Sequence, residues 1–192
     1  MPTETFKRVM PDPSTVARVS PRSIGELMRS LDEYTKNEEE VRRMYPWADR
    51  FVCGMPLASW QRQAVWSEAQ QIRFIDSIWR KLDLGSYMVN AWWETDNEVM
   101  APLSDIVIDG QQRLTAIERY IKGEIPAVAK DGCFVFFHEL EPHEQMGFKN
   151  RIFARAEMET KDEAVLREAH DLREFGGVAH TEDQRAVQRV KP

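Results

Sequence analysis

One stretch constrains this chain more than any other: Ile106-Val107-Ile108-Asp109-Gly110-Gln111-Gln112-Arg113-Leu114-Thr115-Ala116-Ile117-Glu118-Arg119-Tyr120-Ile121. Its opening run of β-branched residues is the pattern of a short buried strand. Leu114, Ile117 and Ile121 then recur at helical spacing, so the chain passes from a strand through a glycine turn into a helix. The first N–H groups of such a helix have no intrahelical acceptor and the helix dipole adds positive potential, so the corner suits an anion. Arg113, in the first turn, carries the planar fork that grips a phosphate at two points. Gly110 lets the backbone approach a ligand closely, and the backbone N–H groups of Gly110, Gln111 and Gln112 would line its phosphates. Asp109 would hold Mg²⁺ or orient a water, and the amides of Gln111 and Gln112, each donor and acceptor, would position water. The same residues also fit a plain Asp-Gly turn before a solvated helix start.

A chain of 192 residues with 42% hydrophobic residues and six Trp is expected to form a single domain with a real core. Its formal charge of -6, from 26 basic and 32 acidic residues, gives no overall attraction to nucleic acid, so any DNA contact needs a local patch. Cys53 and Cys133 lack metal or redox spacing and read as reduced thiols. No apolar run is long enough to span a bilayer and the N-terminus lacks a signal-peptide core, so the expected location is the cytoplasm, with no membrane partner.

Residues 1–21 hold Pro2, Pro11, Pro13 and Pro21 among polar and basic residues and read as an extended arm, either a solvated tail or a tether. Ser23 and Glu26 have capping-box spacing, and Ile24, Leu27, Met28, Leu31 and Tyr34 predict a helix over 24–44, stopped by Pro46. Residues 47–56 are read as a connection. Arg62, beside Gln61 and four residues before Trp66, reads either as a phosphate contact or as a stacked surface arginine, with Trp66 in the core. Ser67 and Gln70 make a second capping box, opening a helix over 68–82 with Gly85 just beyond its end.

A strand over 87–93, a loop over 95–104 and the strand before Asp109 follow, and Gly123 stops the next helix. Residues 125–129 predict a strand that rejoins the sheet, and 133–137 a strand buried on both faces. His138, Glu139, Glu141, His143 and Glu144 read as a metal cluster or as an acidic helix start; their spacing matches no closed zinc pattern. Residues 152–159 alternate as a strand with one charged face, and Val165, Leu166, Ala169 and Leu172 predict a helix over 161–174. Gly176-Gly177 with His180 reads as a second phosphate or base contact, or as a plain turn, before a last helix capped by Thr181. Strands and helices in this order predict an α+β fold.

The run Asp109-Gly110-Gln111-Gln112-Arg113-Leu114-Thr115 resembles the DGQQR signature of the N-terminal domain of GmrSD-type, modification-dependent restriction enzymes. Gln61-Arg62, Val65-Trp66-Ser67 and Ile75-Asp76-Ser77-Ile78 resemble a second segment of that family in order and spacing. The likeness covers residues 57–128, with 129–192 a looser C-terminal extension. It implies a ParB/sulfiredoxin-like fold, a small mixed sheet flanked by helices with N- and C-terminal helical additions, whose strand-turn-helix holds nucleotide phosphates. It implies a nucleoside triphosphate with Mg²⁺, bound through Gln61, Arg62, Gly110, Gln111 and Arg113. Asp109, Gln111, Gln112 and Arg113 would be catalytic, and Asp109 the metal ligand. Nucleotide hydrolysis would serve DNA cutting or nicking in restriction or phage defence. The alternative is a non-catalytic module that keeps the fold to recognise DNA or a protein. The restriction enzymes also carry a His-Asn-His nuclease domain, and no such constellation is visible here, so a separate nuclease or other protein partner is expected.

Overall fold

A computed structural model of the chain describes residues 18–175, with side chains to Arg173. The elements run β1 (Arg18–Ser20), α1 (Ile24–Lys36), α2 (Glu38–Met44), β2 (Phe51–Val52), β3 (Met55–Pro56), α3 (Glu68–Trp79), β4 (Ser86–Asn90), β5 (Thr95–Asp96), β6 (Val99–Met100) and β7 (Val107–Asp109). They continue with α4 (Gln111–Ile121), β8 (Ala127–Val128), β9 (Phe134–Val135), α5 (Pro142–Lys149), β10 (Ala154–Met158) and α6 (Glu163–Phe175). Four strands form one sheet in the order β1-β10-β4-β7, and three two-stranded hairpins, β2-β3, β5-β6 and β8-β9, lie outside it. β10 and β4 are parallel, while β1 and β7 flank them antiparallel. The fold is therefore the expected α+β type, a mixed sheet with helices on it.

Side chains alternate across a strand, so the sheet divides the core in two. On one face Tyr87, Val89 and Val107 pack with Leu27, Ile75, Leu114, Ile117 and Tyr120 of α1, α3 and α4. On the other, Met88, Ile108, Ala156 and Met158 are covered by Ala58 and by Leu166 of α6. Both faces of β4 are thus buried, and each fully buried aliphatic side chain contributes about 1.5–3 kcal/mol.

Several predicted elements are redrawn. The helix expected over 24–44 breaks at Asn37, whose backbone (φ -129°, ψ 37°) leaves the helical region and whose N–H closes α1 on Glu33 and Tyr34. Ser23 makes no side-chain cap bond, because neighbouring backbone does the work: Ser23 bridges Ile152, and the Ile24 N–H donates to the Arg151 carbonyl at 2.8 Å. The box at α3 does form, the Ser67 side chain accepting from the Gln70 N–H and Gln70 reaching back. Helix α3 ends on Lys81 rather than on Gly85: Lys81 takes a left-handed φ of 61°, with Lys81 N–H to Ile78 O and Leu82 N–H to Ser77 O both at 3.1 Å. Gly123 ends α4 in the same way, as predicted.

The connection 47–56 and the loop 95–104 each contain a hairpin, turned by the positive-φ pairs Cys53-Gly54 and Asn97-Glu98. Residues 125–129 do not rejoin the main sheet, since β8 pairs with β9. Nor is 133–137 buried on both faces: Phe134 is 65% exposed and the chain turns at a 3-10 segment, Phe137–Glu139. A two-stranded hairpin on the surface has only one face to bury. The last residues of the arm, Arg18–Ser20, are extended and paired to β10. Residues 1–17 of the arm and Gly176, Gly177, His180 and Thr181 lie outside the described residues.

The β7–α4 corner is built as foreseen, and it needs its glycine. Gly110 is the N-cap of α4 at φ 100°, and a Cβ there would stand 2.6 Å from the Tyr87 Cβ of the neighbouring strand. The close approach is thus to β4. Gly110→Ala is expected to cost about 2–4 kcal/mol in urea unfolding, from backbone strain and a clash that cannot relax. Ser67→Ala should cost about 1 kcal/mol by the same measurement, whereas Ser23→Ala, with no cap bond to lose, should leave the midpoint unchanged.

Candidate functional site

The corner opens on a pocket of about 220 Å³, lined by Gln61, Arg62, Asp109, Gln112, Arg113 and His170 among others. Gln111 and Gln112 open α4 beside it, and their backbone N–H groups donate no hydrogen bond within the described residues. The corner is therefore not packed shut, and Arg113 borders the cleft.

Asp109 sits at the end of β7 with its side chain 10% exposed. Its Oδ2 accepts from Arg113 Nη2 at 3.2 Å and from Arg173 Nε at 2.7 Å. Arg113 also donates through Nη1 to the Leu84 carbonyl at 3.1 Å, and its guanidinium lies over the Phe153 ring, 5.5 Å from the centroid. Arg173 donates through Nη2 to the Ser86 carbonyl at 2.8 Å. One carboxylate thus holds two guanidiniums, and Arg62 also lines the pocket.

Both glutamines of the signature, expected to position water, are engaged by their side chains with the segment that carries Arg62. Gln112 Oε1 accepts from the Val65 and Trp66 N–H groups at 2.9 and 3.0 Å. Gln111, its amide oriented by its neighbours, donates to the Arg62 carbonyl at 2.9 Å and accepts from the Ala64 N–H at 3.2 Å. Gln61 reaches the other way, Nε2 donating to the Val107 carbonyl at 2.9 Å and the Ile108 carbonyl at 2.5 Å. The upstream segment is thereby fastened to β7 and to α4, which brings Arg62 to the rim. Trp66 is half-buried, edge-on to Phe74 at 5.7 Å, and also forms part of the pocket wall.

Two site residues escape the sequence reading. His170 and Arg173 lie on α6, where the apolar stripe was expected to continue to Leu172; that leucine is 66% exposed. After Leu166 the inward positions four and seven residues on are His170 and Arg173. Polar residues continuing an apolar stripe were the signal available. His170 Nδ1 lies 2.8 Å from the Ile108 carbonyl, which can only accept, so Nδ1 carries the proton and Nε2 is the ring's remaining nitrogen. Trp60 stands edge-on to that ring at 5.1 Å, and the Arg167 guanidinium lies 5.0 Å from the centroid of the Trp60 ring.

The fit to a metal is poor. Among the described residues Asp109 is the one carboxylate lining the pocket, its Oδ2 is already shared by two guanidiniums, and a cation there would compete with both. Among the described residues no three His, Cys, Asp or Glu side chains are grouped to hold an ion, those at 138–144 included. Glu141 and Pro142 instead start α5, with Glu144 in its first turn. Both cysteines are free; burial pushes the Cys53 thiol well above its ordinary value.

Among the described residues no helix is long and apolar enough to cross a membrane. No curated protein and no solved structure matches the chain. The family of the GmrSD restriction endonuclease N-terminal domain matches residues 55–187, a span that runs beyond the expected 57–128 and takes in every site residue named above, His170 and Arg173 included. The chain belongs to the GmrSD restriction endonuclease, N-terminal domain family.

Proposed function

We propose that the β7–α4 corner binds the phosphates of a nucleoside triphosphate, and that this domain couples nucleotide binding and hydrolysis to DNA processing in a restriction system. The observation that supports it is an open pocket lined by Arg62, Gln111, Gln112 and Arg113, in which the backbone N–H groups of the two glutamines donate no hydrogen bond within the described residues. At about 220 Å³ that pocket suits a phosphate chain better than a whole nucleotide.

Asp109 has a part in this that is not ligation. It orients the Arg113 fork, and because Arg173 shares its Oδ2, an anion can draw on Arg113 without leaving the carboxylate unpaired. Mg²⁺ would arrive with the triphosphate rather than reside on the protein. His170, with Nδ1 held by Ile108, has a second ring nitrogen that can take a proton from an attacking water.

A second reading, binding without turnover, is favoured by one observation: the side chains of Gln111 and Gln112 are spent on backbone contacts, which leaves few groups for hydrolysis. Phosphate release from the four ribonucleoside triphosphates, with and without Mg²⁺, together with calorimetric binding, separates the two. Arg113→Ala is expected to weaken triphosphate binding roughly ten- to a hundred-fold, the worth of one charge-assisted pair. Full activity in a combined Asp109→Ala and Arg113→Ala variant would falsify the site, and an absence of any nucleotide binding would leave a DNA- or protein-recognition module.

A further inference from the structure

A second groove, of about 470 Å³, lies on the same edge of the sheet as the anion pocket. β7 runs antiparallel to β4, and β4 parallel to β10, so the end of β7 and the beginnings of β4 and β10 share one edge. The anion pocket stands at Asp109, the end of β7. The groove stands at the other two, lined by Leu84, Gly85 and Ala154, by Leu82 just past α3, and by Asn150 and Ile152 just past α5.

The Arg113 side chain and the Leu84–Gly85 backbone stand between them. Leu84 gives its carbonyl to Arg113 Nη1, and a Cβ on Gly85 would stand 3.3 Å from that same nitrogen. The arginine that borders the anion pocket therefore lies directly against the groove's wall. The glycine is held in a left-handed turn (φ 66°), its N–H donating to Asp83 Oδ1 at 2.9 Å, and it raises no side chain between the two cavities.

The two cavities differ in their linings. The pocket is lined by Arg62 and Arg113, whereas the groove sets the aliphatic side chains of Leu82, Leu84 and Ile152 beside the charged Lys81, Asp83 and Arg151. Leu82 is 57% and Ile152 54% exposed, and both face one concavity with buried Leu84 among its lining residues. Exposed aliphatic side chains gathered in a concavity mark a place that a flat apolar ligand covers. Asn150, beside them, offers both a donor and an acceptor for the edge of a ring.

We infer that the groove is the base subsite of the ligand whose phosphates occupy the anion pocket. The sugar crosses the Leu84–Gly85 backbone, the base lies against Leu82 and Ile152, and Asn150 reads its edge. This rests on the phosphate reading of the corner, and the test keeps the two apart.

The full chain is titrated calorimetrically with inorganic tripolyphosphate and with each of the four ribonucleoside triphosphates. At least one nucleotide is expected to bind roughly ten-fold more tightly than tripolyphosphate, the order that burial of one or two aliphatic groups allows. Leu82→Ser and Ile152→Ser, both surface changes that leave the charge unaltered, should erase that advantage while tripolyphosphate binds as before. Asn150→Ala should change the ranking of the four bases. Melting temperatures check that each variant is folded. Unchanged nucleotide affinity in both serine variants, or equal binding of tripolyphosphate and all four nucleotides to the unaltered chain, overturns the base subsite and leaves the phosphate reading standing. Failure of the unaltered chain to bind tripolyphosphate or any nucleotide overturns both.

Discussion

The Asp109 carboxylate is the point on which the site depends. It closes β7, and its Oδ2 is shared by a guanidinium from α4 and one from α6. Each arginine carries the tie further, Arg113 to the carbonyl of Leu84 and Arg173 to that of Ser86. Three pieces of chain distant in sequence, residues 84–86, residues 109–113 and Arg173, are thus held at one carboxylate. Removing the carboxylate from such a partly buried set leaves two guanidiniums uncompensated, which in buried pairs costs about 3–5 kcal/mol. The same arrangement aims the arginine fork that an anion would use.

A second constraint is the edge position of β7. An edge strand presents backbone groups that no neighbouring strand satisfies, and buried carbonyls cannot be left without donors. Here side chains and a short bridge supply partners: Gln61 for Val107 and Ile108, His170 for Ile108, and Leu57 pairing with Val107. Meeting that demand draws the upstream segment and α6 to the corner, and the pocket is the space left between them. Structural need and candidate function fall on the same residues, so Gln61 and Gln112 serve the fold as well as the site.

Much of the architecture was legible along the chain. The strand-glycine-helix order at Asp109, the capping box at Ser67, the stop at Gly123 and the alternation of β10 are all local rules, and local rules hold when nothing competes with them. Where they failed, a neighbour had won. Ser23 gives no side-chain cap because the 151–152 backbone already serves that turn. The apolar run from Cys133 is not a buried strand because its partner is a surface hairpin rather than the sheet. Leu172 faces solvent because the inward position of its turn belongs to Arg173, drawn in by Asp109.

The sequence by itself determined that a strand must hand over to a helix through Gly110, and that Arg113 would stand in the first turn, because hydrophobic period and glycine conformation act over a few residues. It likewise determined the family, through a run of adjacent residues. Only the tertiary structure decided that Asp109 is shared between two arginines, that the amides of Gln111 and Gln112 bind the segment bearing Arg62, and that His170 belongs to the site. Apart from Asp109 with Arg113, four residues on, those pairings join residues about 45–65 positions apart, as in Gln112 with Val65 and Arg173 with Asp109, where the choice of partner follows from strand order and helix packing rather than from any pattern along the chain.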